Sequence, residues 1–135
     1  MSYWKTFYHM IWSTCRREPL ISLSVEAVLI ERLKAKAREL RVYIHAVGTV
    51  PDHMHLVVSI PPVISVAECV RQLKGFSSFW INKAGFEFRW QDGYGVLTIG
   101  ERSLEQVTAY VRNQKEHHAG GSIMDLYERE NAQVR

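Results

Sequence analysis

Two segments of alternating hydrophobic residues, joined by one short turn, constrain the fold of this chain more than any other feature of its sequence. Within residues 41–50 and again within residues 54–60, hydrophobic side chains recur at every second position. A Pro-Asp pair at 51–52 is typical of a turn, and two prolines at 61–62 end the second segment. Successive side chains of a strand point to opposite faces of a sheet. The pattern therefore predicts two consecutive strands, each with one buried face.

The other elements follow from residue periodicity and from local start signals. Hydrophobic residues at steps of three or four predict helices, and stretches rich in aromatic and β-branched residues predict strands. Two Ser-x-x-Glu or Ser-x-x-Gln sequences are typical of the capping boxes that begin helices. The predicted elements are a strand in 3–14, a helix in 24–40 capped by Ser22 or Ser24, the strands in 41–50 and 54–60, a helix from the box at 65–68, a short strand in 94–99, and a helix from the box at 103–106 to about His118.

The order β-α-β-β-α-β-α predicts an α+β fold of the ferredoxin-like sandwich type, with an antiparallel sheet and two helices on one of its faces. The opposite face needs a cover, which a partner subunit, a ligand or the last helix could provide. We expect one domain at residues 1–118 and a C-terminal tail at residues 119–135.

Composition excludes several classes of protein. The 135 residues are 47% hydrophobic and 23% charged, which is typical of one globular domain. The net charge of +3 permits a nucleic-acid partner without requiring one. Cys15 and Cys69 fit neither a disulfide framework nor a metal knuckle, so we expect two buried thiols in a cytoplasmic protein. Because no hydrophobic run approaches the roughly 18 residues of a membrane span, we expect no membrane partner.

The second alternating segment begins with two histidines, His53 and His55, on either side of Met54. Side chains two positions apart on a strand share a face, with Cα atoms roughly 6.5–7 Å apart, so both imidazoles could bind one metal ion. Because Met54 is expected to face the helices, the histidines should lie on the other face. The alternative, two histidines that only hydrogen-bond their neighbours, is the more common one for an isolated motif of this length.

The last predicted helix carries a polar stripe that includes Tyr110 and Gln114, which lie one turn apart. A tyrosine that packs on the core with its hydroxyl at the surface would explain the first residue equally well. A phenol with a pKa near 10 is a poor nucleophile at neutral pH. A divalent ion held by His53 and His55 could activate a phosphodiester for such a nucleophile, with the Gln114 carbonyl oxygen as a third ligand.

A nucleic-acid partner, which the net charge permits, would be contacted by cations at its phosphates and by aromatic rings at its bases. Such residues lie on the second predicted helix and in the loop that follows it. For each of them alone, a solvated charge or a buried tryptophan is the simpler interpretation. The candidates are Arg71, Lys74, Lys83, Arg89 and Trp90.

Five stretches of the chain resemble the single-tyrosine HUH transposases of small insertion sequences, that is, the IS200-like transposases and their repeat-associated relatives. Each stretch alone is a weak match, but the five occur in the family's order. Together they extend over most of the predicted domain. The stretches are residues 8–14, 51–59, 72–78, 90–95 and 110–118.

The resemblance implies that His53, His55 and Gln114 hold Mg²⁺ or Mn²⁺ and that Tyr110 is the nucleophile. Members of this family are metal-dependent endonucleases and strand transferases that cut single-stranded DNA beside hairpins. They form a 5′-phosphotyrosine link and leave a 3′-hydroxyl that later attacks another such link. Because the link keeps the phosphodiester energy, no nucleotide cofactor is expected.

The resemblance also implies a homodimer in which the tyrosine helix can complete the site of the other subunit. Two alternatives to a transposase stay open at the level of the sequence. One is a DNA-hairpin-binding protein without catalysis. The other is a metal phosphohydrolase that uses water, with Tyr110 merely positioning the substrate.

Overall fold

The computed structural model describes residues 3–114, and its elements follow the predicted order. Residues 115–135 lie outside this range, and with them the predicted end of the last helix, His117, His118 and the tail. The strands and helices are β1 (Phe7–Ser13), α1 (Leu23–Leu40), β2 (Tyr43–Val50), β3 (His53–Ser59), α2 (Val66–Lys83), β4 (Gly95–Ile99) and α3 (Leu104–Arg112). Short 3₁₀ turns at Cys15–Arg17 and Glu101–Ser103 precede α1 and α3.

The four strands form one antiparallel sheet in the order β2-β3-β1-β4. This is the ferredoxin-like arrangement that the sequence predicts, with β3 and β1 in the centre. His55 on β3 lies directly opposite Ile11 on β1 and opposite Gly48 on β2. A register shift between Ile44 and Ala46 marks an irregularity in β2, which is an edge strand.

One face of the sheet packs against α1 and α2 and forms the larger core. Met54, Leu56 and Val58 are all buried there, as their alternation predicts.

Cys69 of α2 is also buried, and burial raises the pKa of its thiol to about 11. Cys15 is only half-buried, so the prediction of two buried thiols was wrong for this residue. Its position in an exposed turn after β1 is the reason.

The other face of the sheet is covered by α3 of the same chain, which answers the question that the sequence left open. A second, smaller core lies between this helix and the sheet. Its buried members are Ala46, Val57, Ile99, Val107, Tyr110 and Val111. The histidines of β3 therefore lie between the sheet and the tyrosine helix.

The helix starts agree with the predicted caps in two of three cases. The side chain of Ser22 accepts a hydrogen bond from the Val25 amide, and that of Ser65 accepts one from the Glu68 amide. Ser103 makes no side-chain cap, because it belongs to the 3₁₀ turn before α3. The capping box predicted there was wrong. None of the helices in residues 3–114 is long and apolar enough to span a membrane.

Candidate active site

The two histidines of β3 project toward α3, on the face that the alternation predicts. Their side chains are almost completely buried, with 2% of His53 and none of His55 exposed. The ring centroids lie 5.2 Å apart, and the ring planes are inclined by 64°. The rings are therefore neighbours on one face of β3 without being stacked.

Both imidazoles have a hydrogen-bond partner at Nδ1. Nδ1 of His53 lies 2.7 Å from Oδ1 of Asp52, and Nδ1 of His55 lies 2.8 Å from Nε2 of His9. A histidine that binds a metal through one nitrogen typically uses the other nitrogen for such an outer partner. If these rings bind a metal ion, the partners at Nδ1 would make Nε2 the ligating nitrogen of both.

Asp52, the hydrogen-bond partner of His53, is itself paired with Arg17. Nε of Arg17 lies 3.4 Å from Oδ2 of Asp52, and Nη2 of the same guanidinium lies 3.4 Å from Nδ1 of His53. Partial burial raises the pKa of the Asp52 carboxyl, but the hydrogen bond with His53 and the charge of Arg17 together bring this pKa below its ordinary value. Asp52 is therefore a carboxylate at neutral pH, able to orient the His53 ring.

Tyr110 lies on the side of α3 that faces the sheet, and only 6% of it is exposed. The centroid of its ring is 6.2 Å from that of His55, with the two planes at 83°, so the rings meet edge to face. Both residues belong to one chain. The structure thus brings the sequence-predicted nucleophile next to His55, one of the sequence-predicted metal ligands.

Gln114 follows Asn113, the C-cap of α3, and is 1% exposed. A Cβ atom placed on Gly48 would lie 2.8 Å from Cβ of Gln114 and 2.1 Å from the carbonyl oxygen of Val111. Only a glycine lets the helix end approach the strand so closely. Because Gly48 is opposite His55, this contact places Gln114 beside the histidine pair.

The donor set fits a divalent cation. No three His, Cys, Asp or Glu side chains within residues 3–114 are placed to hold one metal ion, so a third ligand from this part of the chain would be of another type. The amide oxygen of Gln114 meets that need. Two imidazoles and one amide oxygen would leave coordination positions for a phosphate, as a catalytic metal site requires.

A pocket of about 270 Å³ opens next to Gln114, between the edge of β2 and the end of α3. Glu26 of α1 and Thr49 of β2 contribute to its wall, and the hydroxyl of Thr49 donates a hydrogen bond to the Glu26 carboxylate. The helix end that carries Gln114 is therefore accessible from the side of β2.

The predicted DNA-binding residues are not gathered at the histidine pair. Arg71 is exposed but forms two hydrogen bonds with Glu68, whose pKa falls to about 2 because of this pairing and a further bond from Gln72. Lys74 donates to the carbonyl oxygens of Gln91 and Gly93, at 2.7 and 2.9 Å. It thereby fastens the loop before β4 to α2.

Two other predicted contacts, Lys83 and Arg89, are exposed and stay candidates. Trp90 is different, because only 7% of it is exposed and its indole N–H donates to the Ser77 hydroxyl at 3.1 Å. Its ring packs edge to face on Trp12 and Phe88. The interpretation of Trp90 as a platform for base stacking therefore conflicts with the structure.

Comparison with known proteins decides the family. The family model described as "Transposase IS200 like" matches residues 2–114, most of the chain. The chain belongs to the IS200-like transposase family.

Two curated relatives of this IS200-like chain carry transposase names. The ISDra2 transposase TnpA of Deinococcus radiodurans is 26% identical over 115 residues, which are 79% of this chain and 82% of the relative. The transposase for insertion sequence element IS200 of Salmonella typhimurium is 30% identical over 83 residues, 56% of this chain and 54% of that protein. The chain thus aligns with about half of the Salmonella protein.

Solved structures show the same fold. A Deinococcus radiodurans R1 crystal structure assigned as a transposase superposes with a TM-score of 0.69 at 27% identity, over 84% of this chain and 93% of that one. A REP-associated tyrosine transposase, solved bound to a REP hairpin, gives a TM-score of 0.64 at 17% identity, over 91% of this chain and 76% of that one. At that identity, the second likeness supports the fold alone.

Sequence reasoning on this IS200-like chain missed three residues next to the histidine pair. His9 and Arg17 were not recognised as neighbours of the pair, because the contact depends on how β1 pairs with β3. Gly48 gave no signal either, since glycine in a strand has several explanations. The one available signal was the alternation of β1, which places His9 and Ile11 on the same face.

Proposed function

We propose that this IS200-like transposase cleaves and rejoins single-stranded DNA beside hairpins through a covalent 5′-phosphotyrosine intermediate at Tyr110. The observation that carries the proposal is the edge-to-face contact of Tyr110 with His55, in a site built from one chain. His53, His55 and Gln114 would hold Mg²⁺ or Mn²⁺. When bound, such an ion polarises the scissile phosphate and balances the charge that develops during the reaction.

The side chains of this chain have three tasks in that reaction. Asp52 and His9 hold the imidazole rings through their Nδ1 atoms. The burial of Tyr110 against the sheet limits the positions of its hydroxyl, which reduces the entropy lost when the hydroxyl meets a phosphate. Tyr110 is itself a member of the second core, which keeps water away from part of its ring.

The chemistry balances without an external energy source. The Tyr110 oxygen bonds to phosphorus and loses its proton, while the bond from phosphorus to the 3′ oxygen breaks and that oxygen gains a proton. The 5′ phosphate stays on the enzyme as a diester of tyrosine. In the second step a 3′-hydroxyl attacks this phosphorus and the tyrosine leaves, so one diester replaces another and no nucleotide cofactor is consumed.

The proposed substrate is single-stranded DNA with a hairpin, and the proposed assembly is a homodimer. The REP-associated transposase of the same fold was solved bound to a REP hairpin, and we choose the proposed substrate class by analogy with it. The formal net charge of +3 is compatible with a DNA partner. The contact of Tyr110 with His55 within one chain supports a homodimer in which each subunit completes its site with its own tyrosine.

The decisive experiment tests the covalent bond. Single-stranded oligonucleotides that each fold into a hairpin with single-stranded flanks are incubated with the protein and Mn²⁺, and the products are separated on a denaturing gel. We expect a protein–DNA adduct that disappears in Tyr110→Phe and persists in Tyr43→Phe, which removes an exposed phenol elsewhere. An equal adduct from Tyr110→Phe would refute the role of Tyr110. Hydrolysis without any adduct would favour a phosphohydrolase.

A further inference from the structure

We propose that His9 is a positioning residue that fixes the tautomer and the orientation of the His55 ring. This inference rests on the proposed function, in which His55 is a metal ligand. His9 lies in the centre of β1 and is completely buried. Its Nε2 atom is 2.8 Å from Nδ1 of His55, and the two rings are nearly parallel, with centroids 5.0 Å apart and planes inclined by 29°.

The register of the sheet explains how the two rings meet. Ile11 is the residue of β1 directly opposite His55, and His9 is opposite Val57. His9 is therefore the diagonal neighbour of His55 on the same face, a distance that long and aromatic side chains bridge. The ring–ring contact is a consequence of the pairing of β1 with β3 and does not depend on any loop.

The proton shared by the two rings decides whether His55 can bind a metal. A neutral imidazole has one N–H donor and one bare nitrogen. When Nδ1–H of His55 donates to Nε2 of His9, the bare nitrogen of His55 is Nε2, which can ligate a cation. When His9 donates instead, Nε2 of His55 carries a proton and cannot ligate. His9 supports ligation only as the acceptor of this hydrogen bond.

The environment of the pair supports this direction of the bond. Asp52, an acceptor only, occupies the same position on Nδ1 of His53. In this arrangement His9 accepts a hydrogen bond from Nδ1 of His55, just as Asp52 accepts one from Nδ1 of His53. The neighbours of His9 on the same face of β1 are Phe7 and Ile11. A buried imidazole between hydrophobic residues is unfavourable unless it is hydrogen-bonded. The hydrogen bond with His55 therefore offsets the cost of burying the His9 ring.

Three variants separate positioning from simple packing. The amide of glutamine reaches the position of Nε2, so His9→Gln keeps an acceptor for His55. Asparagine is too short, so His9→Asn is polar but loses the bond. His9→Leu removes the bond and keeps most of the volume. Circular dichroism and urea denaturation identify which variants are folded, and the Gln and Asn pair keeps the test valid where the Leu variant does not fold.

The first readout is the tautomer of His55 in the metal-free full-length protein, measured by long-range proton–nitrogen NMR correlation. We expect the Nδ1–H form in the wild type and in His9→Gln, and its loss in His9→Asn and His9→Leu. A wild-type His55 protonated at Nε2 would overturn the proposal. Because this measurement needs neither metal nor DNA, its result is independent of the proposed function.

The second readout is the affinity for Mn²⁺, measured by titration calorimetry on the same proteins. Loss of an outer partner typically lowers metal affinity by about 10–100-fold, so we expect such a drop for His9→Asn and near wild-type affinity for His9→Gln. Equal Mn²⁺ affinity in the wild type and in folded His9→Asn would refute the positioning role. Failure of the proposed function would look different, as a wild type that binds Mn²⁺ but forms no DNA adduct.

Discussion

Gly48 lies directly opposite His55 in the β2–β3 pair, and the end of α3 rests on it. A Cβ atom at this glycine would lie 2.1 Å from the backbone oxygen of Val111 and 2.8 Å from Cβ of Gln114. Neither contact can be relieved by turning a side chain, since one involves the main chain and the other a Cβ. The absence of a side chain at this position therefore sets how closely Tyr110 and Gln114 can approach the histidine pair.

Replacing Gly48 with alanine should move α3 away from the sheet. We expect Gly48→Ala to lower the free energy of unfolding by about 1–3 kcal/mol, as overpacked substitutions do, and to reduce adduct formation strongly at temperatures where the variant is folded. Urea denaturation and the denaturing gel measure the two effects. Gly75→Ala is the matched control, because a Cβ at Gly75, inside α2, meets no atom within 4 Å.

The control variant, Gly75→Ala, should not lose stability. An alanine in a helix interior is more favourable than glycine by about 0.5–1 kcal/mol, so Gly75→Ala should be as stable as the wild type or more stable. If Gly48→Ala keeps both wild-type stability and wild-type adduct formation, the close approach of α3 at Gly48 is not what positions Tyr110 and Gln114.

The sequence predicted the strands and helices that carry this site better than it predicted the contacts between the side chains in it. The alternation of β3 was sufficient to place His53 and His55 on the face away from α1 and α2, because it depends only on the period of a strand. The contact of His9 with His55, which are 46 residues apart in sequence, depends on the register between β1 and β3. No local pattern determines that pairing.

The interpretation of Trp90 failed for a similar reason. The loop before β4 returns to the end of β1, where Trp90 forms an isolated bridge with Thr14. That long-range contact carries its ring into the core next to Trp12. An aromatic residue in a polar loop is compatible with either a stacking surface or a buried anchor, and local composition alone does not distinguish them.

Trp90 should therefore be important for stability. We expect Trp90→Ala to lower the free energy of unfolding by about 3–5 kcal/mol, because it removes a large buried ring. Trp4→Ala should change this free energy little, since Trp4 is 40% exposed. Denaturation followed by circular dichroism checks both variants. A Trp90→Ala protein that keeps its stability but loses hairpin binding would restore the stacking interpretation.

The ion pair of Glu68 and Arg71 should make stability depend on pH in the acid range. The pKa of Glu68 falls to about 2 because Arg71 and Gln72 hydrogen-bond its carboxylate. A carboxyl with a lowered pKa in the folded state stabilises that state above its ordinary pKa of about 4.3. The contribution decreases as the pH falls below that value and disappears as the pH passes through about 2.

We accordingly expect Glu68→Gln to be less stable than the wild type at pH 7 and to approach it as the pH falls from 4 toward 2. The difference should be small, because both side chains are exposed to solvent and such pairs contribute little. Urea midpoints of the two proteins at each pH measure it. Lys83→Gln, a change of an exposed charge at the other end of α2, serves as a control and should show no such convergence. If the difference in urea midpoint between the two proteins stays constant from pH 7 to pH 2, the pairing of Glu68 with Arg71 is not what lowers the pKa of Glu68.

Mixing two inactive variants distinguishes whether Tyr110 acts within its own chain or on a partner. In the structure Tyr110 contacts His55 of the same chain, which predicts that each functional site takes its histidine pair and its tyrosine from one polypeptide. An equimolar mixture of His53→Ala and Tyr110→Phe, refolded together to allow subunit exchange, should then form no more adduct than either protein alone.

If the tyrosine helix instead completes the site of the other subunit, one site of each mixed dimer combines an intact histidine pair with an intact tyrosine. Recovered adduct in the mixture, at the size of one chain plus DNA, would show that α3 leaves its own sheet during the reaction.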